Sequence, residues 1–142
     1  NFMIDTRNKY GKYGTAIFYS AIDLFSYLPF ACILYNNIAN TKYFCVHGGI
    51  SNHIDLEYIQ RKIQRDNFKS VSPRRQQNDS QIKNSKIISD LLWSDPIKEA
   101  DSQGCYFNSH RNLGSLFGAD ITARFCEKYE FNSIIRGHQV RE

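Results

Sequence analysis

The chain is predicted to be an α/β domain, or a mixed-sheet relative of one. Two short apolar runs of β-formers, 43–46 and 133–135, stop abruptly beside a histidine, His47 in the first case and His138 in the second. Segments with helical apolar spacing lie between such runs rather than in a block of their own, which is the element order of α/β proteins. The size agrees. With 142 residues, 42% hydrophobic and 23% charged, the chain can bury one real core and is not disordered by composition.

In chain order, Phe18, Ala21, Ile22, Phe25 and Leu28 recur at helical spacing and Pro29 ends the pattern, predicting a core-facing helix. Residues 30–35 form a short apolar strand, 36–41 are rich in turn residues, and 43–46 make the partner strand of a hairpin. Asp55 is placed to cap a packing helix in which Leu56, Ile59 and Ile63 share a face and Glu57 stands four residues before Arg61. Residues 66–85 are polar, contain Pro73, and read as an exposed, mobile insertion. The apolar run 87–93 is taken as a strand ending at Ser94-Asp95-Pro96. An irregular loop over 97–118 follows, carrying Gly104, Gly114, Gly118 and Arg111. Asp120 favours the start of a helix with Ile121, Phe125 and Tyr129 as its buried stripe, and the last strand leads to His138. There is no internal repeat.

Composition excludes several function classes. The net charge of +4 gathers around Arg61, Lys62, Arg65, Lys69, Arg74 and Arg75. Such a cluster suits nucleic acid or an acidic protein surface, but an ordinary solvated face accounts for it, and no nucleic-acid partner is assigned. Cys32, Cys45, Cys105 and Cys126 lack the paired short spacings of zinc sites and read as buried free thiols in a reducing compartment. No signal peptide is read. The most apolar region, 15–35, is interrupted by Asp23 and Pro29, so no membrane span is expected and the cytosol or nucleus is the expected location.

The chemistry concentrates at the two histidines. Gly48 and Gly49 lack Cβ atoms, so they permit a sharp turn after His47 and let backbone or an anion come close. Alone, His47 is better explained by a strand-end turn with a surface histidine. His138, 91 residues later, repeats the design, and two imidazoles from two strand tips can converge on one metal ion. Two ligands cannot hold a catalytic metal by themselves. Asp95 is either a turn aspartate or a group that orients a histidine or water.

Four stretches, Val46-His47-Gly48-Gly49-Ile50-Ser51, Asp90-Leu91-Leu92-Trp93-Ser94-Asp95-Pro96, Arg111 with Phe117-Gly118-Ala119-Asp120, and Arg136-Gly137-His138-Gln139-Val140, occur in one order. Together they resemble the PPP-type serine/threonine protein phosphatases of the calcineurin-like metallophosphoesterase superfamily. The resemblance covers nearly the whole chain and corresponds to the C-terminal part of that catalytic domain. The polar insertion, with Lys69-Ser70-Val71, is more similar to the EF-hand phosphatase subgroup. It implies a sandwich of two mixed β-sheets flanked by helices. It further implies two metal ions (manganese, iron or zinc) and hydrolysis of phosphoserine and phosphothreonine by direct attack of metal-bound water.

By the same resemblance His47 and His138 ligate one metal, Arg111 holds a phosphate oxygen, and Asp95 supports the site. The implied partners are phosphoprotein substrates and a regulatory subunit or calcium-sensing domain. The chain departs from the family in lacking the motifs Gly-Asp-x-His-Gly, Gly-Asp-x-Val-Asp-Arg-Gly and Gly-Asn-His-Glu, and in placing Asn112 where many relatives have glycine. These residues alone are therefore expected to be inactive. The alternatives are a non-catalytic, protein-binding remnant and a metallophosphoesterase of small nucleotides.

Overall fold

The computed structural model describes residues 1–63, 78–99 and 101–140. The chain divides into two compact units, one containing Asn1–Pro29 and the other containing Phe30–Ile63 and everything described after it. The first unit is helical. α1 (Phe2–Tyr10) is capped by Asn1, whose side chain accepts from the Met3 amide at 3.1 Å, and a 3₁₀ turn at Gly11–Tyr13 leads into α2 (Gly14–Phe25). Phe2 meets Phe18 and Phe25 at ring distances of 5.5 and 5.7 Å.

The helix expected around 18–28 therefore exists but begins earlier, and it is not core-facing. Ile22, Leu24, Phe25 and Leu28 are all exposed. Within its own unit α2 packs on α1, and that contact does not extend over the whole apolar stripe.

The second unit holds two three-stranded mixed sheets. In one, β1 (Ala31–Asn36) pairs antiparallel with β2 (Thr41–Val46), and β2 pairs parallel with β6 (Ser133–Arg136). The hairpin turn closes on Asn36, whose side-chain oxygen accepts from the amides of Ile38 and Ala39 at 3.1 Å. In the other sheet, β5 (Ser115–Phe117) lies between β3 (Asp95–Pro96), parallel to it, and β4 (Cys105–Phe107), antiparallel. The stretch 97–118 is thus not one irregular loop. Its strands are three residues long, too short to show an alternating pattern in sequence.

Three helices complete this unit. α3 (Leu56–Lys62) starts as expected at Asp55, whose carboxylate accepts from the Tyr58 amide at 3.0 Å. α4 (Asp79–Trp93) replaces the strand expected over 87–93. A run of seven apolar-rich residues does not distinguish strand from helix. The capping box formed by Asn78 and Gln81 starts a helix well upstream, and Ile87, Ile88 and Leu91 then fall on its buried face. Residues 79–85, assigned to a mobile insertion, are the exposed first half of this helix; the rest of that segment, with Arg65, Lys69-Ser70-Val71, Arg74 and Arg75, lies outside the described residues. α5 (Ala119–Tyr129) buries Ile121 and Phe125 as expected.

One hydrophobic cluster joins Phe44 and Val46 of the first sheet, Phe117 of the second, Ile87 and Leu91 of α4, and Ile121 and Phe125 of α5. Phe44 stacks edge-on against Phe125 at 5.1 Å. The four cysteines are free, but Cys32 is exposed and the others half-buried, because β1 turns most of its residues outward. Among the described residues no helix is long and apolar enough to cross a membrane.

Candidate metal and phosphate site

The turn after β2 is folded onto the end of α4. The amides of Gly48 and Gly49 donate to the Leu91 carbonyl at 2.8 and 3.4 Å. A Cβ on Gly48 would stand 2.5 Å from the Leu92 carbonyl carbon, and one on Gly49 would enter the Phe117 ring, so both positions require glycine for close approach. Beyond them Ser51 Oγ donates to Asp90 Oδ2 at 2.6 Å. Asp90 is 1% exposed and also accepts from Ser115 Oγ at 2.8 Å, while Ser115 donates its amide to Ser94 Oγ at 2.9 Å. This buried, satisfied carboxylate fixes the turn, α4 and β5 to one another.

The two histidines leave adjacent strands side by side. In the parallel β2–β6 register Val46 lies opposite Arg136, and the Gly137 amide donates to the His47 carbonyl at 3.2 Å. His47 Nε2 and His138 Nδ1 approach to 2.9 Å, with Trp93 edge-on to the His138 ring at 5.5 Å. His138 Nε2 is buried and has no hydrogen-bond partner among the described residues. Burial, reinforced by the positive charge of Arg111, pushes the His138 pKa below its usual value against the pull of Asp95. The imidazole is thereby held neutral, which is the form that ligates metals.

Asp95 is the hub beneath them. It is 3% exposed; its Oδ2 accepts from Arg111 Nε at 2.6 Å and from Asn108 Nδ2 at 3.1 Å, and its Oδ1 from Arg136 Nη2 at 2.9 Å. Burial raises its pKa, but the hydrogen bond and charge of Arg111, together with Asn108 and Arg136, outweigh it and hold the carboxyl below its ordinary value. Arg111 reaches toward the His138 carbonyl at 3.5 Å, and the next residue, Asn112, has a left-handed backbone (φ 55°) that glycine adopts freely and asparagine tolerates. Arg136 additionally donates to the carbonyls of Gly48 and Ser94 and to Gln139 Oε1.

The sequence model of the calcineurin-like phosphoesterases matches residues 2–142. The chain belongs to that family. Among curated relatives it is 31% identical over 160 residues to serine/threonine-protein phosphatase with EF-hands 1 of Rattus norvegicus, covering 99% of this chain and 24% of the relative. The Homo sapiens protein of the same name is 27% identical over 171 residues, covering 99% and 25%. The chain spans about a quarter of the length of these relatives.

Members of the calcineurin-like phosphoesterase family use divalent metal ions, and the histidine pair fits one. One ion holds two ligand nitrogens about 3–3.4 Å apart, so His47 Nε2 and His138 Nδ1, in hydrogen-bond contact at 2.9 Å, would need only a small separation to share it. Among the described residues no third His, Cys, Asp or Glu joins them in a cluster. The structure brings all four sequence-selected residues, His47, Asp95, Arg111 and His138, into one neighbourhood. Sequence reasoning missed Arg136, although an arginine closing an apolar strand is itself a signal, because a charge there is seldom buried without partners. Asn108 carried no such signal.

Proposed function

We propose that this phosphoesterase chain forms part of the active site of a protein phosphatase acting on phosphoserine and phosphothreonine. The observation that carries the reading is the 2.9 Å approach of two histidine ring nitrogens beside an arginine held by a buried aspartate. The names of the EF-hand phosphatase relatives favour protein substrates over small nucleotides, and favour a calcium-sensing domain elsewhere in the gene product. A cytosolic or nuclear location fits four free cysteines.

The roles of the chain's own residues follow from their bonds. His47 and His138 would hold one ion of a metal pair, the remaining ligands coming from residues outside this stretch. When bound, such metals acidify water and neutralise phosphate charge, which is what hydrolysis of a phosphomonoester dianion requires. Asp95 takes the Nε of Arg111 and the His138 carbonyl takes one Nη2 hydrogen at 3.5 Å, which leaves Nη1 and the other Nη2 hydrogen to hold phosphate oxygens. Arg136 holds the carbonyl of Gly48, next to His47, and the side chain of Gln139, next to His138, and is a positioning residue.

The test replaces His47 and His138 by alanine, singly and together, in the full-length protein carrying this chain. Bound metal, read by elemental analysis, should fall together with p-nitrophenyl phosphate turnover, by orders of magnitude in the latter, while circular dichroism is retained. Near-normal metal content and turnover with both residues changed would overturn the assignment.

A further inference from the structure

Cys32 and Cys45 are directly opposed in the β1–β2 hairpin, between the pairs Ala31–Val46 and Ile33–Phe44. Residues paired in this way have Cα atoms about 4.5 or 5.5 Å apart and side chains on one face of the sheet. Both separations fall inside the range of about 4.4–6.8 Å that a disulfide spans. Cys32 is exposed and Cys45 half-buried, so Cys32 is the more open of the two to a dissolved oxidant. Cys105, by contrast, faces Phe117 in its sheet, and Cys126 lies in α5.

We propose that Cys32 and Cys45 are a modification site, forming a reversible cross-strand disulfide on exposure to a hydroperoxide. Cys32 Sγ attacks the peroxide, the O–O bond breaks, an alcohol or water departs, and Cys32 becomes a sulfenic acid. Cys45 Sγ then displaces the sulfenic oxygen as water, forming the S–S bond. Two thiols lose two electrons in all, and one peroxide gains them. Two equivalents of a small thiol such as glutathione reverse the process. Exposed disulfides are the labile, regulatory kind, so the link is suited to switching rather than to permanent bracing. β2 lies between β1 and β6, so a clamp at Cys45 acts on the strand that ends at Val46, immediately before His47.

The experiment treats the full-length protein carrying this chain with hydrogen peroxide, blocks remaining thiols by alkylation, and maps tryptic peptides under non-reducing conditions. Cleavage after Lys12, Lys42 and Arg61 puts Cys32 in peptide 13–42 and Cys45 in peptide 43–61, so the disulfide is read as a linked pair. This pair should be the dominant linked species, vanish on reduction with dithiothreitol, and be absent from Cys32→Ser. In Cys45→Ser, Cys32 should instead accumulate as sulfenic acid trapped by dimedone. Recovery of both peptides singly alkylated after peroxide treatment would overturn the proposal, as would their appearance only as separately over-oxidised species. Linkage of either cysteine to Cys105 or Cys126 in its place would do the same.

Discussion

Replacing Asp95 by asparagine changes no shape but removes the charge that two arginines share. An amide has one acceptor oxygen. Turned so that this oxygen keeps Arg111 Nε and Asn108 Nδ2, it aims its NH₂ at Arg136 Nη2, donor against donor. A hydrogen bond to a charged group is worth about 1.5–3 kcal/mol. The arginine side chains are 29% and 14% exposed, so solvent screens part of that, and about 2 kcal/mol of local stability should be lost. At about 1.4 kcal/mol per decade, amides protected by the hub should exchange roughly thirty-fold faster.

The reporters are Gly48, bonded to the Leu91 carbonyl, and Ile97, bonded to the Phe117 carbonyl, read by hydrogen exchange in the full-length protein. The pH dependence has a definite sign. The folded pKa of Asp95 is depressed, so its contribution is complete above the ordinary value of 3.8 and is lost as pH falls through the lower folded value. The asparagine variant should lack that acid-side loss. Exchange within twofold of the parent, or an unchanged acid response, would refute the reasoning.

Arg111→Lys keeps the charge and loses the fork, so in the full-length enzyme it should weaken inhibition by inorganic phosphate and slow turnover; an unchanged inhibition constant counts against a phosphate role. Ser51→Ala takes a 2.6 Å donor from buried Asp90 and should cost about 1–3 kcal/mol, seen as a lowered thermal midpoint, whereas an unshifted midpoint would show the bond to be dispensable. Gly49→Ala drives a methyl into the Phe117 ring and should destabilise by about 1–3 kcal/mol in chemical denaturation. The 142 residues expressed alone should show no significant turnover of p-nitrophenyl phosphate with added manganese. A rate comparable with the full-length protein, abolished by His47→Ala, would mean that the site needs fewer ligands than argued.

What could be read from sequence depended on how local its cause was. The hairpin, the Asp55 cap, the Ile121–Phe125 stripe and the two histidine-tipped strands rest on spacing within a few residues, and the structure has them. The Asn78–Gln81 capping box is also local, but mostly polar residues follow Asn78 for a full two turns, so the sequence pattern divides α4 into a polar segment and an apolar run. The meeting of His47, Asp95, Arg111 and His138 is a long-range fact that came from the family resemblance rather than from periodicity. The roles of Arg136 and Asn108 depend on where Asp95 is buried, which no pattern around residues 95–111 encodes. The apolar stripe of α2 marked a helix correctly while saying nothing of what covers it.

The pairing of β2 with β6 has a mechanical consequence for the two imidazoles. Hydrogen-bonded neighbouring strands lie about 4.7–4.9 Å apart, and the His47 and His138 rings are centred 4.7 Å apart. The ladder sets this gap only through the turn beyond it: His47 is level with Gly137, and His138 stands one residue further on with a left-handed backbone (φ 70°) that swings its ring back to His47. Slippage of β6 by one residue would carry His138 about 3.3 Å along the strand and turn alternate side chains to the opposite face. Loosening of the ladder between Tyr43–Val46 and Ser133–Arg136 would therefore shift one imidazole relative to the other without any change in the side chains themselves.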